Sequence, residues 1–301
     1  MNKVLVTGGA GFIGSNLVDK LIELGIQVTI IDDLSTGKKE NINPSAYHWL
    51  QDLTKIDKKS LSDTIKSFGI DAVFHLAAKT AVQESIVEPE LYNDINVGAT
   101  LKLLEASKNA GVKKFVFSSS SSIYGDADTP TKEDEWTLPL SHYAATKLIG
   151  EEYCRLYSML YDMDICILRY FNVYGNRMNS EGGYRLVLPI FKELKETGAP
   201  LTINNDGNQR RDFVHVDDVV AMNILVATEN KSTLASNYNV GTGVSYSVNE
   251  IADMFGGDKI YNSTVHIKEP FETLADMSLV NERLEYFTKD RLKEWIKDYV
   301  N

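Results

Sequence analysis

Short apolar runs alternate with helix-length amphipathic stretches from Lys3 to Arg169, and this alternation constrains the fold more than any other feature. Lys3–Thr7 is the first run. Behind it, Ile13, Leu17, Val18, Leu21 and Ile22 share one face of a helix that Gly25 can end. Gln27–Ile31 is a second buried-type strand, closed by Asp32-Asp33. Ala72–Phe74, Lys114–Phe117 and Asp164–Arg169 read as further strands, and Leu91–Ala110 as a helix. Ser141–Tyr161 reads as a long helix, opened by Pro139 and capped by Ser141. The apolar residues of these strands stand mostly in succession rather than on alternate positions. Repeated strand-then-helix units of that kind predict an α/β chain with a parallel sheet covered on both faces.

After Gly175 the texture changes. Residues 176–208 mix polar turns with one amphipathic helix near Leu188–Leu194. Phe213–Ala227 and Ser236–Gly243 read as strand-helix and strand pieces that return to the sheet. The expected division is 1–176 for the sheet domain and 177–301 for a second, smaller part, with about 212–243 rejoining the first.

The 301 residues, 43% of them hydrophobic, suffice for one large α/β domain or two modest ones. A formal charge of −11 and a pI near 5.0 argue against nucleic acid, whose phosphates need clustered Lys and Arg, and against an anionic membrane surface. No apolar run approaches the ~18 residues of a spanning helix. MNKVLVTGG runs straight into strand and glycine loop, so no signal peptide is expected. Cys154 and Cys166 have no partner at ligand spacing, which predicts neither a metal site nor a disulfide framework. The cytoplasm is the expected compartment.

Gly8, Gly11 and Gly14 stand between the first strand and the first helix, spaced G-x-x-G-x-x-G. Asp32 ends the second strand. The physical reading is close backbone approach to a pyrophosphate at a helix N-terminus, with Asp32 accepting from a ribose 2′-hydroxyl. An anionic Asp32 repels a 2′-phosphate, so NAD is expected over NADP. Lys38 and Lys39 read as a solvated loop.

SHYAATK places Tyr143 and Lys147 on one helical face, four residues apart. Bringing a tyrosine from a pKa of ~10 to ~7 takes roughly 4 kcal/mol of preferential phenolate stabilisation. One cation at ~5 Å with an effective dielectric near 20 supplies about 3 kcal/mol. Lys147 and a positive nicotinamide ring together suffice, in a site closed to water. Upstream, FVFSSSSSIYGD runs an apolar strand into five serines.

Taken together, TGGAGFIG, IDDLSTG, HLAA, INVGAT, SSIYGD, YAATK, LRYFNVYG, QRRDFVHVDDV and YNVGTG resemble the extended short-chain dehydrogenase/reductase family, in its order and spacing. Within it they are most similar to the UDP-glucose 4-epimerase-like nucleotide-sugar enzymes. The resemblance covers nearly the whole chain. It implies a Rossmann-type doubly wound parallel sheet that binds NAD, with a smaller C-terminal substrate-binding part. Phe12, Ile13, Asp32, Asp33 and Gly37 would line the cofactor from the first units, and Asp52, Leu53, Leu76, Ala77 and Ala78 from the next. Asn96, Tyr143, Lys147, Tyr170 and Phe171 would complete that lining.

By the same resemblance the catalytic Ser or Thr lies four residues before the Tyr of the YG turn, which gives Ser120. It would hydrogen-bond the reacting hydroxyl and pass its proton to Tyr143. Ser118, Ser119 and Ser121 would be supporting residues, and Ser122 would pack or cap. Relatives that eliminate or decarboxylate carry an acid just after the catalytic position. Residues 121–123 here are Ser, Ser and Ile, which implies redox at one carbon.

On the substrate side, Asn172 resembles the Asn that bonds the nucleotide sugar, and Arg211 the Arg that pairs with its diphosphate. Thr80, Leu186, Val187 and Asn204 would line the same ligand. Thr273 would flank the sugar C2 substituent, where its small side chain leaves room for an N-acetyl group. Three departures stand out. His142 replaces the usual Pro before the Tyr. The R-P-G-D-like stretch with a second diphosphate Arg is missing, with His266 or Lys268 as replacements. The tail after Asp276 is short. The implied activity is an NAD-dependent UDP-sugar 4-epimerase working through a 4-keto sugar. A reductase or 3,5-epimerase/reductase, and a catalytically silent nucleotide sensor, remain open. The family commonly dimerises, here through Leu91–Ala110 and Ser141–Tyr161.

Overall fold

Thirteen strands are defined in the computed structural model, which describes residues 1–178, 186–229, 235–263 and 269–300. They are β1 (Lys3–Thr7), β2 (Gln27–Asp32), β3 (Tyr47–Leu50), β4 (Ala72–His75), β5 (Lys114–Ser120), β6 (Asp164–Tyr170), β7 (Asn172–Tyr174), β8 (Leu201–Asn204), β9 (Arg210–His215), β10 (Ser236–Val240), β11 (Ser245–Ser247), β12 (Lys259–Asn262) and β13 (Glu272–Thr273). Seven of them form one all-parallel sheet in the order β10-β6-β5-β4-β1-β2-β3.

Successive residues of a strand point to opposite faces, so each apolar strand feeds two cores. Val4, Val6, Ile30, Phe74, Val116 and Leu168 lie in one, beneath helices Phe12–Glu23 and Val216–Thr228. Leu5, Ile31, Val73, Phe115, Phe117 and Ile167 lie in the other, beneath Lys58–Phe68, Ala99–Ala110 and His142–Tyr161. Burial on both faces explains the unbroken apolar runs. Only β3, at the sheet's edge, keeps an exposed pattern. This is the doubly wound Rossmann-type sheet that the sequence predicts.

A second body carries its own core of Tyr174, Leu188, Phe191, Ile203, Phe213, Ile251, Phe255 and Ile296. In it β9 pairs with β7, β11 and β13, while β8 pairs with β12. The expectation that 212–243 returns to the main sheet therefore needs correction. Helix Val216–Thr228 and β10 do return, but β9 belongs to the second sheet. A short strand before a helix reads alike whichever sheet it joins.

The expected helix Leu91–Ala110 also differs. It begins at Pro89, and Asn93–Gly98 winds as a π-helical turn before the α-helix resumes at Ala99. Such turns displace a side chain from the regular helical face. Here Asn96 sits within it.

Candidate active-site cleft

The carboxyl ends of β1, β2, β4, β5 and β6 open onto one cleft of about 440 Å³, which extends to the second sheet at Arg211 and Thr273. At its floor lies the glycine turn. Gly8 has φ +71°, and a Cβ there would stand 2.8 Å from the Ala77 nitrogen. A Cβ on Gly14 would stand 2.1 Å from the Gly8 carbonyl oxygen. Only glycine fits either place. Gly11 is the N-cap of helix Phe12–Glu23 and brings no side-chain acceptor, and the first turn holds no acid. Its amides are thus left for an anion, and the positive end of the helix favours one.

Asp32 is buried at the end of β2. Its Oδ2 accepts from the Ala10 amide at 2.9 Å and its Oδ1 from the Leu34 amide at 2.8 Å. Burial raises its pKa, while those amides pull it down. A carboxylate oxygen keeps capacity for a further donor, so ribose hydroxyls remain acceptable partners. The cradle and the acid fit NAD.

Phe12, Ile13, Asp33, Asp52, Leu53, Leu76, Ala77, Ala78, Thr80, Tyr170 and Phe171 line the cleft, as do Asn172, Leu186, Arg211 and Thr273. Four expected residues do not. Gly37 packs behind Asp32, where a Cβ would meet Oδ1 at 2.8 Å. Asn96 is spent on structure: its amide donates to the Lys79 carbonyl and to Thr146 Oγ1, and its Oδ1 accepts from the Lys79 amide. It ties the Ala78–Thr80 segment to the helix of Tyr143. Val187 starts helix Val187–Glu196, and Asn204 ends β8 opposite Asn262, both away from the lining. His266 and Lys268 lie outside the described residues.

All five serines touch the cleft, and their hydroxyl partners separate them, by strand alternation and by where β5 ends. Ser118 Oγ meets the Tyr170 hydroxyl at 3.0 Å. Ser119, on the opposite face, donates to the buried Glu151 at 2.5 Å. Ser120 is the last residue of β5 and lines the cleft, where its Oγ accepts from the Ser122 amide at 3.2 Å. Ser121 and Ser122 open a 3₁₀ turn, and Ser122 Oγ is buried without a hydrogen-bond partner.

Tyr143 and Lys147 project from the first turns of helix His142–Tyr161, whose N-cap Ser141 accepts from the Ala144 amide. Lys147 is buried; its Nζ donates to the Ser118 carbonyl at 2.8 Å and sits 5.3 Å from the centre of the Phe117 ring. Burial pulls its pKa down to about 8, against the opposing pull of Cys154 and Glu151. It stays mostly charged at pH 7. His142, beside the Tyr, is exposed and lies outside the lining.

Two supports were not foreseen from the sequence. Arg169 crosses behind β5 to grip Glu151 with Nε and Nη2 at 2.9 and 2.8 Å, and its Nη1 reaches the Tyr124 hydroxyl at 2.8 Å. An arginine near the end of the mostly apolar run DICILRY was the available signal. Lys102 Nζ donates to the carbonyls of Leu53, Thr54 and Ile56 at 3.3, 2.5 and 2.9 Å, which pins the loop bearing Asp52 and Leu53.

Such a sheet, glycine cradle and Tyr/Lys helix define a Rossmann-type protein built for a nicotinamide dinucleotide. The chain belongs to the NAD dependent epimerase/dehydratase family, whose model matches residues 4–241. A putative UDP-glucose 4-epimerase of Methanocaldococcus jannaschii is 40% identical over 99% of this chain and 97% of its own. Among solved structures, a UDP-glucose 4-epimerase of Thermotoga maritima with UDP-glucose superposes with a TM-score of 0.92 at 36% identity, covering 99% and 97% of the two chains. A UDP-N-acetylglucosamine 4-epimerase of Methanobrevibacter ruminantium, in complex with UDP-N-acetylmuramic acid, gives 0.91 at 37% identity with the same coverage.

Proposed function

We propose that this protein is an NAD-dependent UDP-sugar 4-epimerase that accepts UDP-hexoses and UDP-N-acetylhexosamines. The observation that carries the reading is the convergence of Ser120, Tyr143 and buried Lys147 on the cleft that holds the glycine cradle. The likeness of the whole chain to two solved UDP-sugar epimerases supports the same activity. Bound NAD supplies the hydride acceptor and, once reduced, the donor. The protein's own part is proton transfer and positioning. The Tyr143 hydroxyl, as phenolate, takes the proton of the sugar C4 hydroxyl, and Ser120 Oγ relays it. The Lys147 ammonium, fixed on the Ser118 carbonyl, favours the phenolate in a site with little water. When hydride returns on the other face, Tyr143 gives the proton back. Asn172 and Arg211 hold the nucleotide sugar, and Thr273 borders its C2 substituent.

The test is incubation of purified protein with UDP-Glc, UDP-GlcNAc and UDP-GlcA, followed by separation of C4 epimers. Epimer formation without steady-state NADH turnover is the expected result. Net consumption of reduced cofactor, with a deoxy or reduced product, would replace this reading with a reductase.

We also infer a homodimer. Ile149, Leu156 and Leu160 form an exposed apolar stripe on helix His142–Tyr161, and Ile86, Val87 and Leu91 are exposed as well. Sedimentation as a monomer at micromolar concentration would contradict it.

A further inference from the structure

We propose that Glu269 sets the nucleotide-sugar affinity of the cleft, its carboxylate competing with the ligand's diphosphate for Arg211. The inference rests on the reading that Arg211 holds that diphosphate.

Past Thr54, the described lining of the cleft contains three cations, Lys79, Lys147 and Arg211, and one carboxylate, Glu269. Lys79 is paired with Glu84 at 2.7 Å. Lys147 is buried on the Ser118 carbonyl. Among the described residues, Arg211 is therefore the cation left for an anionic ligand at the second sheet. Its guanidinium is held in place by Nη1, which donates to the carbonyls of Arg210 and Pro270 at 2.8 and 3.0 Å. Nη2 is the end offered to an anion, and Glu269 Oε2 already sits on it at 2.9 Å.

The contact is built into the chain path. Thr273 of β13 pairs in register with Arg211 of β9, and the segment leading into β13 carries Pro270 and Glu269. Glu269 is thus tethered beside Arg211, so its effective concentration there is that of a short linker, on the order of millimolar or above. Arg211 is 15% exposed and Glu269 46%, so the pair is shielded on one side and free to open on the other. A diphosphate entering the cleft meets an arginine whose charge is already neutralised. It must either displace the carboxylate or bind beside a like charge. Both routes weaken binding, and the fraction of protein with Arg211 free sets the apparent affinity.

The experiment is calorimetric titration of UDP and UDP-glucose into the NAD-loaded wild type, Glu269→Gln, Arg211→Gln and the double variant, with circular dichroism confirming the fold of each. Glu269→Gln should tighten both ligands about three- to fivefold, the scale of one partly exposed ion pair. Arg211→Gln should weaken them by at least about tenfold, the loss of a charge-assisted bond. In the Arg211→Gln background the gain from Glu269→Gln should fall below about 1.5-fold, as expected for groups that act through each other. Unchanged or weaker binding by Glu269→Gln would overturn the competition. So would an undiminished gain in the Arg211→Gln background, since that would be general removal of negative charge. If neither ligand binds wild type or Glu269→Gln at millimolar concentration, the nucleotide-sugar reading itself falls, and this inference with it.

Discussion

The two ends of the cleft are made of different materials. At the cofactor end the recognition surface is backbone. Gly8 and Gly14 fold against neighbouring main chain, the amides of Ala10 and Leu34 clamp Asp32, and Lys102 pins the next loop by three carbonyls. At the proposed substrate end it is side chain: Asn172, Arg211, Glu269 and Thr273, all four on or beside strands of a separate small sheet. The first end is fixed by contacts to the main chain. The second, on the reading proposed above, exchanges the Arg211–Glu269 pair for its ligand. An enzyme that keeps one nucleotide and turns over the other is served by that asymmetry, because tight binding of the exchanging ligand would not raise kcat.

The comparison predicts that damage to the chemistry leaves the cofactor end intact. Tyr143→Phe removes one hydroxyl and should cost about 10⁴ in kcat, the upper range for an acid–base group, with NAD affinity unchanged. Activity within tenfold of wild type would remove Tyr143 from the role of base. Ser120→Ala should follow, at about 10²–10³ in kcat. Ser119→Ala provides the contrast. Its hydroxyl faces the buried Glu151, so it should lower Tm through loss of a bond to a charged group, roughly 1.5–3 kcal/mol, with a smaller loss of activity. If Ser119→Ala is the more damaging to kcat, the assignment along the serine run is wrong.

How much of this was legible from sequence depends on how far apart the partners lie. The glycine turn, Asp32 and the Tyr143/Lys147 pair are local patterns, and their geometry is nearly that of the elements they occupy. Asp32 recognition needs only β2 beside β1. Ser120 was singled out only through the family resemblance, since the local pattern ended the strand at Phe117 whereas β5 runs on to Ser120. Glu269 on Arg211, Lys102 on the carbonyls of residues 53–56 and Arg169 on Glu151 join distant segments, and no periodicity records them. The bonds that tie Asn96 to Lys79 and Thr146 are of the same long-range kind, and the π turn in which Asn96 sits has no periodic signature either. The strand Arg210–His215 carried no mark of the sheet it would join.

Lys147 links the two ends, and its charge gives a smaller, pH-dependent effect. Its pKa in the fold is about 8, lowered by burial from 10.5. The charged form is therefore disfavoured by folding. That penalty is fully present below pH 8, shrinks as pH rises from about 8 to 10.5, and is gone above. At pH 7 it is on the order of 3 kcal/mol, partly offset by the bond to Ser118. Lys147→Met should consequently unfold at the same or a higher temperature than wild type at pH 7, while losing roughly 10²-fold in kcat. Wild-type kcat should decline as pH rises through about 8, where the ammonium is lost. A rate that keeps climbing to pH 9.5 would show that the cation is not what stabilises the phenolate.

The smallest expected effect bears on the substrate end alone. Thr273 pairs with Arg211 across β13 and β9 and lines the cleft, and its Oγ1 is buried without a hydrogen-bond partner. A threonine there leaves space that a tyrosine ring would fill, and its unpaired hydroxyl can bond an acetamido group. Thr273→Tyr should therefore reduce kcat/KM for UDP-GlcNAc by about 10–100-fold relative to UDP-Glc, the range in which pocket size discriminates between substrates. NAD affinity should not move, since β13 makes none of the described cofactor-end contacts. Equal loss on both sugars, or no change on either, would take Thr273 out of the C2 wall. A simultaneous loss of NAD would break the separation of the two ends, because a change confined to a side-chain-built subsite would then have reached the backbone cradle.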